Sequence, residues 1–523
     1  MEILDNGPTA IASFSPAEKS GKPHGTVSVR KRLPRARERC LMLGPFLEEA
    51  VKEPVGRLVR LPHPMARIRA QMAASPGALS RRAFVGQGLL VSWGVKSART
   101  EHRAKPRGFL RRFVANLGPG LVTGAADDDP SGISTYSVAG AAFGYSFLWT
   151  ALFTFPLMAS VQLMCARLGM VTGRGLGGAI RSRYPRWVLW PACLLLLVAN
   201  VFNIAADLGG MADAMQMVTG VRSYYWTPFF ALSITALLIR TSYNLIARVF
   251  KWLTLVLFAY VIAAFLAHPD WAGVARGALV PHVEWTRIYM AVLVGILGTT
   301  ISPYLFFWQA AQEVEEDRKH GKITVAQRRG STNLELSVAR DDVFTGMAAS
   351  NLVMFFIVLT TAATLHAHGA QNIETAKQAA EALRPLAGEG AYWLFTLGLI
   401  GTGMLAVPVL AGSCAYAIAE AATWKGASLS QKARGAPGFY MVIGGAMAVG
   451  LALDFAGLNA VKMLFWSAVV NGVLAPPLVI LVVLLTSDRK VMGKRANSRG
   501  VKALGWICAA VMSAAALALL FLG

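Results

Sequence analysis

Three adjacent aspartates, Asp127, Asp128 and Asp129, run straight into Pro130. The chain before them, Leu117 to Ala126, and after them, Val138 to Phe143, is apolar or small. One carboxylate in mid-bilayer costs on the order of 3 kcal/mol, so three in a row call for a cation or a water-filled cavity facing them. The proline removes a backbone donor and crowds the preceding turn, so the helix must break there. The carbonyls freed by the break need partners that lipid does not offer. The end of the half-helix before the break carries partial negative charge, which also favours a cation. A second break of the same kind stands at Ser302–Pro303, within GTTISPYLFF at 298–307. Two readings compete for the acidic run: aspartates capping a helix end in water, or a cation site with at least Asp129 in it.

The elements that must position these residues follow from composition. Of 523 residues 55% are hydrophobic and 15% charged, against about 25% charged in soluble domains. The pattern is that of an all-α polytopic membrane protein. Apolar stretches long enough to span fall near 113–141, 146–171, 187–216, 225–240, 246–267, 287–311, 343–365, 391–420, 437–456, 461–486 and 501–522, about eleven in all. Residues 1–112 differ. They carry 22 of the 51 Lys and Arg residues, including RKRLPRARER at 30–39, with no run long enough to span and no signal-peptide core. They read as a basic, disordered tail, with binding of anionic lipid or RNA as the other reading. Alternate connections are basic (Arg167–Arg186, Arg240–Lys251, Arg318–Arg340, Lys425–Arg434, Asp488–Lys502). The positive-inside rule then puts the N-terminus in the cytoplasm and the C-terminus outside. The five cysteines are scattered and define neither a disulfide framework nor a zinc site. The two interrupted spans are the first and sixth, with four whole spans between them, so the second half is an inverted copy of the first. Such paired breaks point to a transporter site at the bilayer midplane.

GPGLVTGAADDDPSG at 118–132 resembles the first helix of the NRAMP divalent metal transporters, where GPG is followed after eight residues by Asp-Pro-Gly-Asn. LVGILGTTISPY at 293–304 is similar to the family's GATVMPH helix. APPLVILVVLLTSDRKVMG at 475–493 is similar to its LPFALIPLLLLTSDRKLMG. The resemblance covers about 113–523 and implies a LeuT-like inverted 5+5 repeat, over about 113–267 and 287–486, with an extra helix at 501–522. It implies that Asp129 is the metal-binding aspartate, and that the backbone carbonyls of Ala126 and Thr299 approach the ion. Ser302 stands in place of the family's methionine, Gly132 in place of its asparagine, and Tyr304 in place of its histidine. Asn471 lies near a position where glutamine is common, which Ala468 itself occupies.

Those departures are chemical. Methionine sulfur favours soft transition metals; Ser302 offers a hard oxygen, Gly132 leaves room, and Asp127 and Asp128 add charge. Fewer direct ligands around a roomier acidic site suit an ion that keeps part of its water, as Mg²⁺ does, with Mn²⁺ also accepted. The motif is nearer to the NRAMP-related magnesium transporters than to iron and manganese carriers. The family's third-helix Asp and Glu become Asp207 and Gly210 in NIAADLGGMAD, and 438–456 holds no Arg, which argues against proton coupling. The expectation is a carrier of Mg²⁺ or Mn²⁺ working by alternating access in the cell (plasma or inner) membrane. It has no resident cofactor, and its partners are the metal ion and the lipid bilayer, with no specific nucleic acid and no obligate protein partner. A proton-coupled Mn²⁺/Fe²⁺ transporter is the alternative within the class. A sodium-coupled amino acid carrier does not explain the acidic run. An intramembrane aspartyl protease using Asp129 and Asp207 lacks the GxGD motif and leaves the Ser302 break unexplained. His366 and His368 read as loop residues, Ser413 and Cys414 as packing residues, and Trp308 as a packing residue that could line the pathway.

Overall fold

The computed structural model describes residues 118–241, 255–424, 426–457 and 459–522. The tail expected over 1–112, the first residues of spans one and five, and most of the basic connection between spans four and five lie outside the described residues. All regular structure among the described residues is helical. In chain order the principal helices are α1 (Pro119–Asp127), α2 (Pro130–Phe143), α3 (Leu148–Thr172), α4 (Leu176–Arg183), α5 (Arg186–Thr219), α6 (Ser223–Arg240), α7 (Ala259–Leu266), α8 (Trp271–Leu279), α9 (Arg287–Thr300), α10 (Pro303–Lys319), α11 (Asn333–Thr364), α12 (Ala391–Ala421), α13 (Pro437–Asp454), α14 (Ala460–Ser487), α15 (Arg489–Met492) and α16 (Arg499–Phe521). Each expected span contains helix. Eight helical stretches among the described residues are long and apolar enough to cross a bilayer. One of them, Pro130–Thr172, joins the second half of span one to span two, and the described part of span five, Val256–Leu266, is a shorter apolar helix.

The two interruptions occur where proline dictates. Pro130 and Pro303 each open the first turn of a new helix, the one helical position where a missing N–H costs nothing. Around them the packing is tight. The pair α1 and α2 lies on α11, α9 lies on α14, and α5 lies against α12, α13 and α14. Small residues permit this approach. A β-carbon at Gly124 of α1 would run into the Gly346 carbonyl of α11, and one at Gly298 of α9 would meet the backbone of Ala468 and Gly472 on α14. The first amides of α1 are capped from another helix: Asp342 of α11 accepts from Gly118 (2.9 Å), Gly120 (2.6 Å) and Leu121 (3.3 Å).

Candidate cation site

Asp129 is the N-cap of α2, and so does cap a helix, but it is only 2% exposed and lies in the protein interior. Its two oxygens have different duties. Oδ1 accepts from the Gly132 amide (2.7 Å) and the Ser131 hydroxyl (2.8 Å), which holds the local turn. Oδ2 faces the bundle and accepts from Asn203 Nδ2 of α5 (3.1 Å) and, at a longer 3.4 Å, from the Tyr304 hydroxyl of α10. The first break therefore reaches the second through one tyrosine. Tyr304 also donates to the Ala126 carbonyl (2.9 Å), and its single proton serves one acceptor at a time.

The second break satisfies its own carbonyls. The Ser302 hydroxyl donates back to the carbonyls of Thr299 (2.5 Å) and Gly298 (3.1 Å), leaving its lone pairs as acceptors. Thr299 donates through Oγ1 to the Tyr136 hydroxyl of α2 (3.1 Å). Gly132 has modest room: an added β-carbon would sit 3.4 Å from Asp129 Oδ1 and 3.5 Å from the Asp127 carbonyl. Asn471 of α14 is 1% exposed, and neither polar atom of its side chain has a hydrogen-bond partner.

The other two aspartates turn elsewhere. Asp127 Oδ2 and Asp128 Oδ1 both accept from the Ser350 hydroxyl of α11 (2.7 and 3.1 Å). One hydroxyl serves two carboxylates, and Asp127 Oδ1 has no partner. Among the described residues, no three acidic, His or Cys side chains converge into a ready-made cluster. The donors that do meet at the breaks are a carboxylate, backbone carbonyls, hydroxyls and amides, all of them oxygen-type ligands for a hard cation. The surroundings are short of partners as well. Asn203 Oδ1 and both oxygens of Asp207, on α5, are buried without a hydrogen bond in good geometry, though the Ser131 amide acts on Asp207 and Asp129 lies near enough to repel it. Each such atom costs about 1–3 kcal/mol if left unpaired, a cost that water or an ion beside Asp129 would relieve.

Asn203 and Ser350 are contributors that sequence reasoning passed over. Asn203 stands four residues before Asp207 on the same helical face, and Ser350 interrupts an apolar run; both signals were legible. The remaining candidates are structural. His366 and His368 bond through Nδ1 to the carbonyls of Ala141 (2.8 Å) and Thr364 (2.5 Å). Ser413 accepts from Asn200 (3.1 Å). Trp308 is fully buried, with its ring edge-on to Tyr416 at 6.3 Å.

Two broken helices meeting tip to tip at the centre of an apolar helical bundle define a membrane transporter with a midplane site. Residues 120–522 match the natural resistance-associated macrophage protein-like (Nramp) family, and the chain belongs to that family. It is a multi-pass membrane transporter and not an enzyme. Among its relatives are the divalent metal cation transporter MntH of Deinococcus radiodurans, 28% identical over 79% of this chain and 90% of that one, and the MntH of Yersinia pestis, 27% identical over 76% and 92%. The crystal structure of the Eremococcus coleocola manganese transporter, in complex with an aromatic bis-isothiourea substituted compound, has the same fold, with a TM-score of 0.63 at 19% identity, covering 79% of this chain and 87% of that one.

Proposed function

We propose that the chain carries divalent metal cations, Mg²⁺ or Mn²⁺, through a site anchored on Asp129. The ion enters on the Oδ2 side, where the Asn203 and Tyr304 contacts are the longer ones. Ala126 and Thr299 supply carbonyls, Ser302 an oxygen, and Gly132 and Asn471 space and a nearby amide. Asp127 and Asp128, which share the Ser350 hydroxyl on the α11 side, add acidic groups beside the site. The observation that carries this reading is one buried carboxylate, Asp129, at two facing helix breaks, held on its inner oxygen only by Asn203 and Tyr304 and with the unpaired Oδ1 of Asn203 and the carboxylate of Asp207 beside it. An all-oxygen donor set without sulfur favours a hard ion, and ligands spread over several helices suit one that keeps some water. The membrane is the cell membrane, with the basic connections and the N-terminus on the cytoplasmic side.

Proton coupling finds little support. Gly210 carries no carboxylate, and the Leu464 side chain of α14 packs beside it, 2.7 Å from where a β-carbon would stand. The alternative is proton-coupled Mn²⁺ or Fe²⁺ transport, for which the buried Asp207 beside Asp129 is the supporting feature. Proteoliposomes carrying purified protein, tested with Mg²⁺, Mn²⁺ and Ca²⁺ while internal pH is followed, separate the two. Uptake of Mg²⁺ or Mn²⁺ without acidification is expected. Transport of none of these ions, or unchanged uptake by Asp129→Ala, would remove the assignment.

A further inference from the structure

The turn between α14 and α16 encloses a cleft of about 750 Å³ that the transport site does not use. Its rim carries Arg489, Lys494, Arg499 and Lys502, and its wall includes Ser487 and Asn497. No carboxylate lines it, and none of the four cations forms an ion pair among the described residues. The nearest acidic residue in sequence, Asp488, is already held by Arg183 at 2.5 Å. Basic connections by themselves only orient a membrane chain. This one is concave and its walls are fixed. The Asn497 amide donates to the Thr486 carbonyl (3.0 Å), Asn497 Nδ2 donates to Thr486 Oγ1 (2.8 Å), and Arg167 of α3 donates to the Arg495 carbonyl (2.7 Å). The buried Ser487 hydroxyl has no partner. α16 begins at Arg499, with its Val501 amide capped by Ser498, so a positive dipole end stands beside the rim. Leu484, Trp506 and Ile507 are exposed apolar residues on the same two helices, within about two turns of the cleft.

We propose that this cleft binds a phosphate-bearing anion, and the apolar surface adjoining it favours the headgroup of an anionic phospholipid over free phosphate. The purified full-length protein is incubated with phosphatidylglycerol or phosphatidylcholine and examined by native mass spectrometry. In parallel it is equilibrated with radiolabelled inorganic phosphate. Retention of phosphatidylglycerol over phosphatidylcholine is expected. Arg489→Gln with Arg499→Gln, and separately Lys494→Gln with Lys502→Gln, should weaken it by about fivefold per cation removed. Lys490→Gln, an exposed neighbour outside the lining, should leave it unchanged. A loss confined to the lipid arm identifies a lipid site, and a loss in the phosphate arm identifies a free-anion site. Equal retention of the two lipids with no phosphate bound, or equal weakening by Lys490→Gln, overturns the proposal.

Discussion

The two oxygens of Asp129 divide between structure and chemistry, and this makes the residue testable beyond simple loss. Asp129→Asn keeps an Oδ1 that can still accept from Ser131 and Gly132 but removes the charge that an ion needs. It should fold with near-normal stability and lose at least about tenfold in uptake, the penalty of about 1.4 kcal/mol for one weakened charge contact. Metal uptake and melting temperature, measured on one preparation, check both halves. Ser302→Met substitutes a soft sulfur for a hydroxyl that now holds the Thr299 carbonyl at 2.5 Å. Competition uptake should shift by roughly tenfold towards softer metals such as Cd²⁺ or Mn²⁺ over Mg²⁺; an unchanged ratio would mean that position 302 does not face the ion. The break at Pro130 and the burial of Asp129 beside it were legible in the sequence, because a carboxylate next to a mid-span proline has few structural excuses. The arrangement of its neighbours was not. Nothing in the adjacency of Asp127, Asp128 and Asp129 indicates that the break rotates two of them towards Ser350 and the third towards Asn203 and Tyr304.

At the scale of elements, α1 is a nine-residue half-helix, too short to be stable alone, and it is held by two features of α11. One is the backbone approach of Gly124 to Gly346. Gly124→Val should overpack that contact and destabilise the protein by about 1–3 kcal/mol, visible as a lower melting temperature with no change in metal preference. The other is the three-bond cap from Asp342. Asp342→Ala removes it at about 1–2 kcal/mol, so amides of α1 should exchange hydrogen roughly tenfold faster while those of α9 keep their protection. Span positions and breaks were legible because hydropathy, length and proline act locally. The cap from Asp342 was not, since it joins residues more than 200 positions apart and an aspartate near the start of a span reads equally well as a loop charge.

At the scale of the whole molecule, transport without proton coupling, as proposed, has an electrical consequence. A transporter that moves a divalent ion alone carries two charges per cycle, so a potential of 100 mV acts on it with about 4.6 kcal/mol, enough for an accumulation ratio above a thousandfold. A proton-coupled transporter is driven in addition by the pH gradient. Gly210 stands where a carboxylate would be needed, and the uncoupled transport proposed on that ground predicts the first behaviour. In proteoliposomes with a potassium diffusion potential, interior negative, and equal pH on both sides, Mg²⁺ or Mn²⁺ should accumulate, and reversing the potential should drive it out. A pH gradient imposed at zero potential should give no accumulation. Accumulation driven by that gradient alone would assign the coupling to Asp207, the remaining buried carboxylate beside Asp129 without a side-chain partner, and Asp207→Asn should then abolish the pH-driven component while leaving the voltage-driven one.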